Sequence, residues 1–161
     1  MRKAKVYLDT SVISHLDATD TPEKMNVTHL LWDELKSGKY HVVISNVTLT
    51  ELAGCAEPKL TKLLEKLAEI QYDLLSETDE SLTLAENYLQ YGVLKKKSMD
   101  DLRHISVASV ANCRYITSWN FKHFVNINTI EKIQSANRLY GYNDINIVPP
   151  IMLLGGDEDD N

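Results

Sequence analysis

Long apolar runs are absent from this chain of 161 residues. None reaches the roughly 18 consecutive residues of a membrane helix, so no span is expected. Cysteine is scarce. Cys55 and Cys113 stand too far apart to form a metal-binding pair and read as small core residues of a reducing compartment. Glycine is missing where a nucleotide-binding loop would need it. The first strand-like run continues into Asp9-Thr10-Ser11-Val12, which argues against a glycine-rich phosphate loop. Excess positive charge is missing too: the net charge is −6, unlike the basic face of a domain that coats nucleic acid. Part of that excess is local, and without Asp157-Glu158-Asp159-Asp160 the charge is about −2. Residues 151–161, ending in these acids, are expected to form a disordered acidic tail behind a single domain of residues 1–150. Met1-Arg2-Lys3-Ala4 runs directly into a strand and leaves no room for a signal peptide, so a cytoplasmic protein is expected.

What is present is an alternation of short apolar runs and amphipathic stretches. Lys5 to Leu8 reads as a buried strand with Val6 and Leu8 inward. Asp17 to Lys24, polar and holding Pro22, reads as a loop. Val27 to Lys36 has helical spacing at Val27, Leu30, Leu31 and Leu35, with Asn26 as N-cap and Gly38 past its end. Tyr40-His41-Val42-Val43-Ile44 is a continuous β-branched strand. Ser45 or Asn46 caps a short helix with Leu49, Leu52 and Ala53. Pro58 opens a helix to about Ile70, Tyr72 to Leu75 is a weaker strand, and Thr78 to Gln90 is helical with Leu82, Ala85 and Leu89 inward. After the basic stretch Lys95-Lys96-Lys97, the helix from Asp100 to Asn112 is apolar nearly all round and should be central. A strand over Arg114 to Ser118, a helix over Thr129 to Leu139 and a strand over Ile145 to Val148 complete the order. Alternation with strands lacking a polar face predicts an α/β fold, a three-layer α/β/α domain with a central, mostly parallel sheet.

In such sheets the sites lie at the carboxyl ends of strands. Asp9, Glu51 and Asn120 follow strands, and Asp101 opens a helix facing the same edge. Carboxylates converging there repel one another unless a divalent cation sits between them. Each residue also has a plain reading: Asp9 as an N-cap, Glu51 as a solvent-facing acid, Asp100 or Asp101 as a first-turn acid, His104 as a packing residue, and Asn120 or His123 as a turn former.

Taken in order, these segments resemble the PIN-domain nuclease family, which includes the VapC toxins. The resemblance rests on Tyr7-Leu8-Asp9-Thr10-Ser11-Val12, Ser45-Asn46-Val47-Thr48-Leu49-Thr50-Glu51-Leu52, Asp101-Leu102-Arg103-His104-Ile105-Ser106-Val107-Ala108, and Ile116-Thr117-Ser118-Trp119-Asn120-Phe121-Lys122-His123-Phe124. It spans residues 5–150 or so and implies a Mg²⁺- or Mn²⁺-dependent endoribonuclease. Asp9, Glu51 and Asp101 would be its catalytic acids and, with Asn120, its metal ligands. Asn120 departs from the family, where many members have a fourth acid; an amide offers an oxygen but no charge. Asp101 is preferred over Asp100 for its spacing to His104. Ser11 would orient a carboxylate or a metal water and counts among the candidate substrate-binding residues. Lys97, Arg103 and Lys122, with Lys95 and Lys96, flank the site and are candidates for the RNA backbone. The resemblance further implies a small antitoxin as partner, and a homodimer. The competing expectation is a binding domain on the same fold whose site has decayed.

Overall fold

The computed structural model describes residues 2–155. Strands β1 (Lys5–Leu8), β2 (His41–Ser45), β3 (Asp73–Leu75), β4 (Tyr115–Thr117) and β5 (Asn146–Val148) form one sheet in the order β3-β2-β1-β4-β5, and every pair is parallel. The helices are α1 (Thr10–Ser14), α2 (Pro22–Lys36), α3 (Asn46–Ala53), α4 (Lys59–Leu67), α5 (Asp79–Tyr91), α6 (Met99–Val110) and α7 (Ile127–Tyr140).

β1 lies mid-sheet, and Val6, Tyr7 and Leu8 are all fully buried. Strand side chains alternate between faces. Val6 and Leu8 therefore join a core with Ile13, Leu31, Trp32 and Leu63, supplied by α1, α2 and α4. Tyr7 joins the opposite core with Leu84, Tyr88, Leu102, Ile105 and Ile133, supplied by α5, α6 and α7. Inward thus means both faces for β1, not only that of Val6 and Leu8. Each fully buried large aliphatic side chain contributes about 1.5–3 kcal/mol, so a sheet covered on both sides needs no disulfide. Cys55 and Cys113 are free, and Cys113 is buried. No helix among the described residues is long and apolar enough to cross a membrane.

Several local expectations shift. Helix α2 begins at Pro22, inside the expected loop, because proline's fixed φ suits the first helical turn. Asn26 is therefore within the helix rather than at its cap. In α5 the buried side chains are Leu84, Ala85 and Tyr88, whereas Leu82 is exposed. Leu30 also faces out, and Trp32 is buried in its helix with the expected Leu31 and Leu35. The segment after 150 opens with a 3-10 turn (Pro150–Leu153) that buries Leu153, and the Gly155 amide donates to Glu34 Oε1. Of the tail expected to be disordered, residues 151–161, residues 156–161 lie outside the described residues.

With all strands parallel, their carboxyl ends share one edge. Asp9 leaves β1 there, Ser45 ends β2 and leads into the helix carrying Glu51, and Ser118 follows β4.

Candidate metal centre

Asp9 occupies the N-cap position of α1 with extended backbone, yet its side chain makes no capping hydrogen bond. Its Oδ2 instead accepts from two hydroxyls, Ser11 Oγ at 2.7 Å and Ser118 Oγ at 2.8 Å. The direction follows from their other contacts. Ser11 Oγ accepts the Trp119 amide at 3.0 Å and Ser118 Oγ accepts the Asn120 amide at 2.9 Å, so each hydroxyl proton is free for the carboxylate. One oxygen of Asp9 is thereby pinned, and the other, Oδ1, lies 3.8 Å from His104 Nε2.

Glu51 reaches the same place from α3, which starts with a capping box between Ser45 and Thr48. Its Oε1 accepts Thr10 Oγ1 at 2.8 Å and also bonds His104 Nε2. Burial works against the Glu51 charge, but the bonds from His104 and Thr10 and the nearby Arg103 charge hold its carboxyl below the usual range. His104 is fully buried. Burial alone would lower its pKa, yet the Glu51 bond and the charges of Asp9, Glu51 and Asp101 raise it. An ionised carboxylate only accepts, so Nε2 carries a proton. Nδ1 meets the Tyr7 hydroxyl at 2.5 Å, and that hydroxyl lies 2.7 Å from Ser45 Oγ. Burial pushes the Tyr7 phenol far above its ordinary pKa, so it stays neutral.

Asp101 enters from the first turn of α6. Its Oδ2 lies 2.8 Å from His123 Nδ1, and burial, with the like charge of Asp9, raises its carboxyl pKa despite that bond. Asp100 points away: its side chain is 67% exposed and pairs with Arg103. Asp101 is thus the inward member of the pair.

The other expected residues are placed as follows. Asn120 turns its Oδ1 onto the backbone amides of Lys122 and His123, at 3.1 and 2.9 Å. The Ser11 hydroxyl is spent on Asp9 and Trp119. Arg103 is held by Glu77 through both Nε and Nη2, and by Asp100. Lys97 and Lys122 are exposed and line a cavity that also touches His123. Four residues carry more of the site than the sequence suggested: Tyr7, Thr10, Ser118 and His104. Thr10 and Ser118 had a faint signal, as hydroxyls beside strand ends; Tyr7 had none, since strand alternation set it on the face opposite Val6 and Leu8.

Single oxygens of Asp9 and Glu51 and a ring nitrogen of His104 lie within 4.8 Å of one another. The His104 nitrogen carries a proton toward Glu51, so the donors that suit a cation are the carboxylates, with His104 holding Glu51. Asp101 lies outside that set of three but near it: burial, and then the charge of Asp9, raise its carboxyl pKa. Oxygen donors, buried for Asp9 and partly buried for Glu51 and Asp101, without a cysteine fit a hard dication.

No protein-family model matches this chain, and no match was found among curated proteins. Solved structures do match. A chain from the structure of VapBC2 from Rickettsia felis, bound to a DNA fragment from their promoter, aligns with a TM-score of 0.54 and 14% identity, over 90% of this chain and 98% of that one. At that identity the likeness is one of fold, and the fold is the PIN-like α/β/α domain that the sequence predicts.

Proposed function

We propose that this chain is a Mg²⁺- or Mn²⁺-dependent endoribonuclease, the toxin of a type II toxin–antitoxin pair. One observation carries the reading: Asp9 stands where a helix cap would, but its carboxylate makes no capping bond, is held by the Ser11 and Ser118 hydroxyls, and has its other oxygen 3.8 Å from His104. A capping aspartate does not need that arrangement; a ligand does. Asp9, Asp101 and Glu51 would hold the cation. Bound there, it would neutralise phosphate charge and make a coordinated water more acidic.

The chain's own groups supply the rest. Glu51, kept ionised by its His104 and Thr10 bonds, accepts a hydrogen bond from the attacking water and aligns it. Ser11 acts on Asp9 rather than on substrate. Lys97 and Lys122 meet the RNA backbone. Arg103 is engaged by Glu77 and Asp100, so its role is to fix α6 rather than to bind phosphate. A small antitoxin covering this edge, and a homodimer, belong to the same reading; the R. felis structure is itself a VapBC assembly.

The test is cleavage of RNA with Mg²⁺ or Mn²⁺, with and without chelator, against Asp9→Asn. Metal-dependent cleavage lost in the variant supports the reading, and cleavage retained by Asp9→Asn rejects it. A second reading, a PIN-fold binding domain without activity, draws on Asn120, which brings no fourth charge and commits its oxygen to a turn. Absence of both cleavage and metal-induced stabilisation would favour it.

A further inference from the structure

The loop between β4 and α7, from Ser118 to Asn126, reaches the supports of all three acids. At its start the Ser118 hydroxyl donates to Asp9 Oδ2 at 2.8 Å and accepts the Asn120 amide at 2.9 Å. Further on, His123 Nδ1 lies 2.8 Å from Asp101 Oδ2. The next residue, Phe124, is fully buried, and its ring centroid stands 6.4 Å from that of His104, which holds Glu51.

Asn120 builds the turn between these contacts. Its Oδ1 accepts the amides of Lys122 and His123, and its carbonyl accepts those of Phe124 and Val125, both at 3.0 Å. Four consecutive amides thus converge on one residue. The Asn126 side chain braces the turn from its far end, donating to the carbonyls of Phe121 and Lys122 at 3.2 and 2.8 Å. A continuous hydrogen-bonded chain therefore runs from Asp9 through Ser118, Asn120 and His123 to Asp101. It ties together two acids from different elements whose like charges oppose each other.

The last contact has a direction. Beside a cation Asp101 is ionised, and a carboxylate only accepts, so His123 Nδ1 donates. That bond occupies Oδ2 and leaves Oδ1, just as the Ser11 and Ser118 bonds leave Oδ1 of Asp9. Groups that hold a ligand from behind fix its orientation and are felt in metal affinity.

We propose that Asn120 and His123 are positioning residues: Asn120 shapes the turn, and His123, placed by that turn, holds Asp101 ready for the cation that Asp9 also serves. The inference rests on the metal-site part of the proposed function and gives Asn120 a task other than ligation.

The experiment measures Mn²⁺ binding to the full-length chain by titration calorimetry, without RNA. His123→Ala is expected to weaken binding by about ten- to a hundredfold. His123→Asn keeps a donor near the place of Nδ1 and should bind within about threefold of the unmodified chain. Asn120→Ala keeps the backbone bonds but frees two amides, and should weaken binding as His123→Ala does. Asn120→Asp accepts the same amides and should bind much as the unmodified chain does. Because Asn120 acts through His123, the double alanine variant should lose no more than His123→Ala alone. In a cleavage assay, the Mn²⁺ needed for half-maximal rate should rise by the same factor in His123→Ala, at unchanged KM for RNA. A residue that only supported the fold would lower the melting temperature without metal and would not be rescued by the donor in His123→Asn. If Asn120→Ala loses its melting transition, the two His123 variants decide.

The inference is overturned if the unmodified chain binds no Mn²⁺, if His123→Ala binds it as tightly as the unmodified chain, or if His123→Asn loses as much as His123→Ala. Fully additive losses in the double variant, or a tenfold tightening in Asn120→Asp, would overturn the role given to Asn120. Cleavage is scored separately. Mn²⁺ binding that depends on His123 without any RNA cleavage leaves the positioning role standing and removes the nuclease reading. Cleavage with metal binding indifferent to His123 does the reverse.

Discussion

The Ser118 hydroxyl donates to Asp9 Oδ2 at 2.8 Å, although 109 positions separate the two residues. The contact crosses from the end of β4 to the end of β1, which pair in parallel with Leu8 opposite Thr117. Parallel register puts equivalent strand ends level, so each strand delivers its next residue to the same edge. A hydroxyl there fixes a carboxylate without adding charge, and leaves the second carboxylate oxygen for another partner.

Asp9→Asn tests the carboxylate itself. Asparagine's oxygen can still accept from Ser11 and Ser118, so the fold is expected to hold while RNA cleavage falls below detection. Thermal melting and a gel assay on the same preparation would check both halves.

Metal should stabilise the native state alone. At a hundredfold excess over its dissociation constant, Mg²⁺ or Mn²⁺ would add about 2.7 kcal/mol, a rise of several degrees in melting temperature for a domain of this size. Chelator should reverse the rise, and Asp9→Asn or Asp101→Asn should abolish it. Scanning calorimetry with and without metal reads this directly.

Tyr7→Phe removes one hydroxyl from a fully buried chain of contacts. His104 Nδ1 and Ser45 Oγ each lose a partner at 2.5 and 2.7 Å, so the change is expected to cost about 1–3 kcal/mol. The urea midpoint should fall at an unchanged slope.

Glu77 predicts a pH dependence. Its bonds from Arg103 and Asn46 hold its carboxyl below the ordinary value of 4.5, against the opposing effect of burial. A carboxyl with a lowered folded-state pKa stabilises the fold fully above its unfolded value, and that stabilisation is lost as pH falls through the folded value. Because Glu77 ties Asn46 at the start of α3 to Arg103 on α6, acid should loosen the two helices that carry Glu51 and Asp101. Melting temperatures taken from neutral pH down to about 3 should drop steeply at the acid end, and Glu77→Gln should flatten that drop.

Asn120→Asp separates a ligand from a turn residue. Its side-chain oxygen accepts two backbone amides, and an aspartate can accept the same pair. Metal affinity by titration calorimetry is therefore expected to change little. A tenfold tightening would show instead that the side chain at 120 reaches the cation.

Much of this protein was legible in order and period. The β-branched run of β2, the apolar helix α6 and the alternation between them predicted a parallel, two-sided sheet, because burying both faces leaves no room for polar positions. Asp9, Glu51 and Asp101 stood out as candidates beside apolar runs, and the family resemblance preferred Asp101 to Asp100. What the chain alone did not reveal is which atoms those acids face. Helical spacing put Leu82 inward, but packing against α6 chose Leu84 and Tyr88. Asp9 and Asn120 were each consistent with a cap or turn and with a ligand; only the fold turned one carboxylate toward Ser118 and the other side chain onto its own loop. His104 read as a packing residue and Tyr7 was not among the inward positions of its strand; only the approach of β1, α3 and α6 made them a hydrogen-bonded path to Glu51. Local sequence determines which residues can be buried or charged. The direction of a side chain depends on partners about 40 to 110 positions away, and those meet only when the sheet closes.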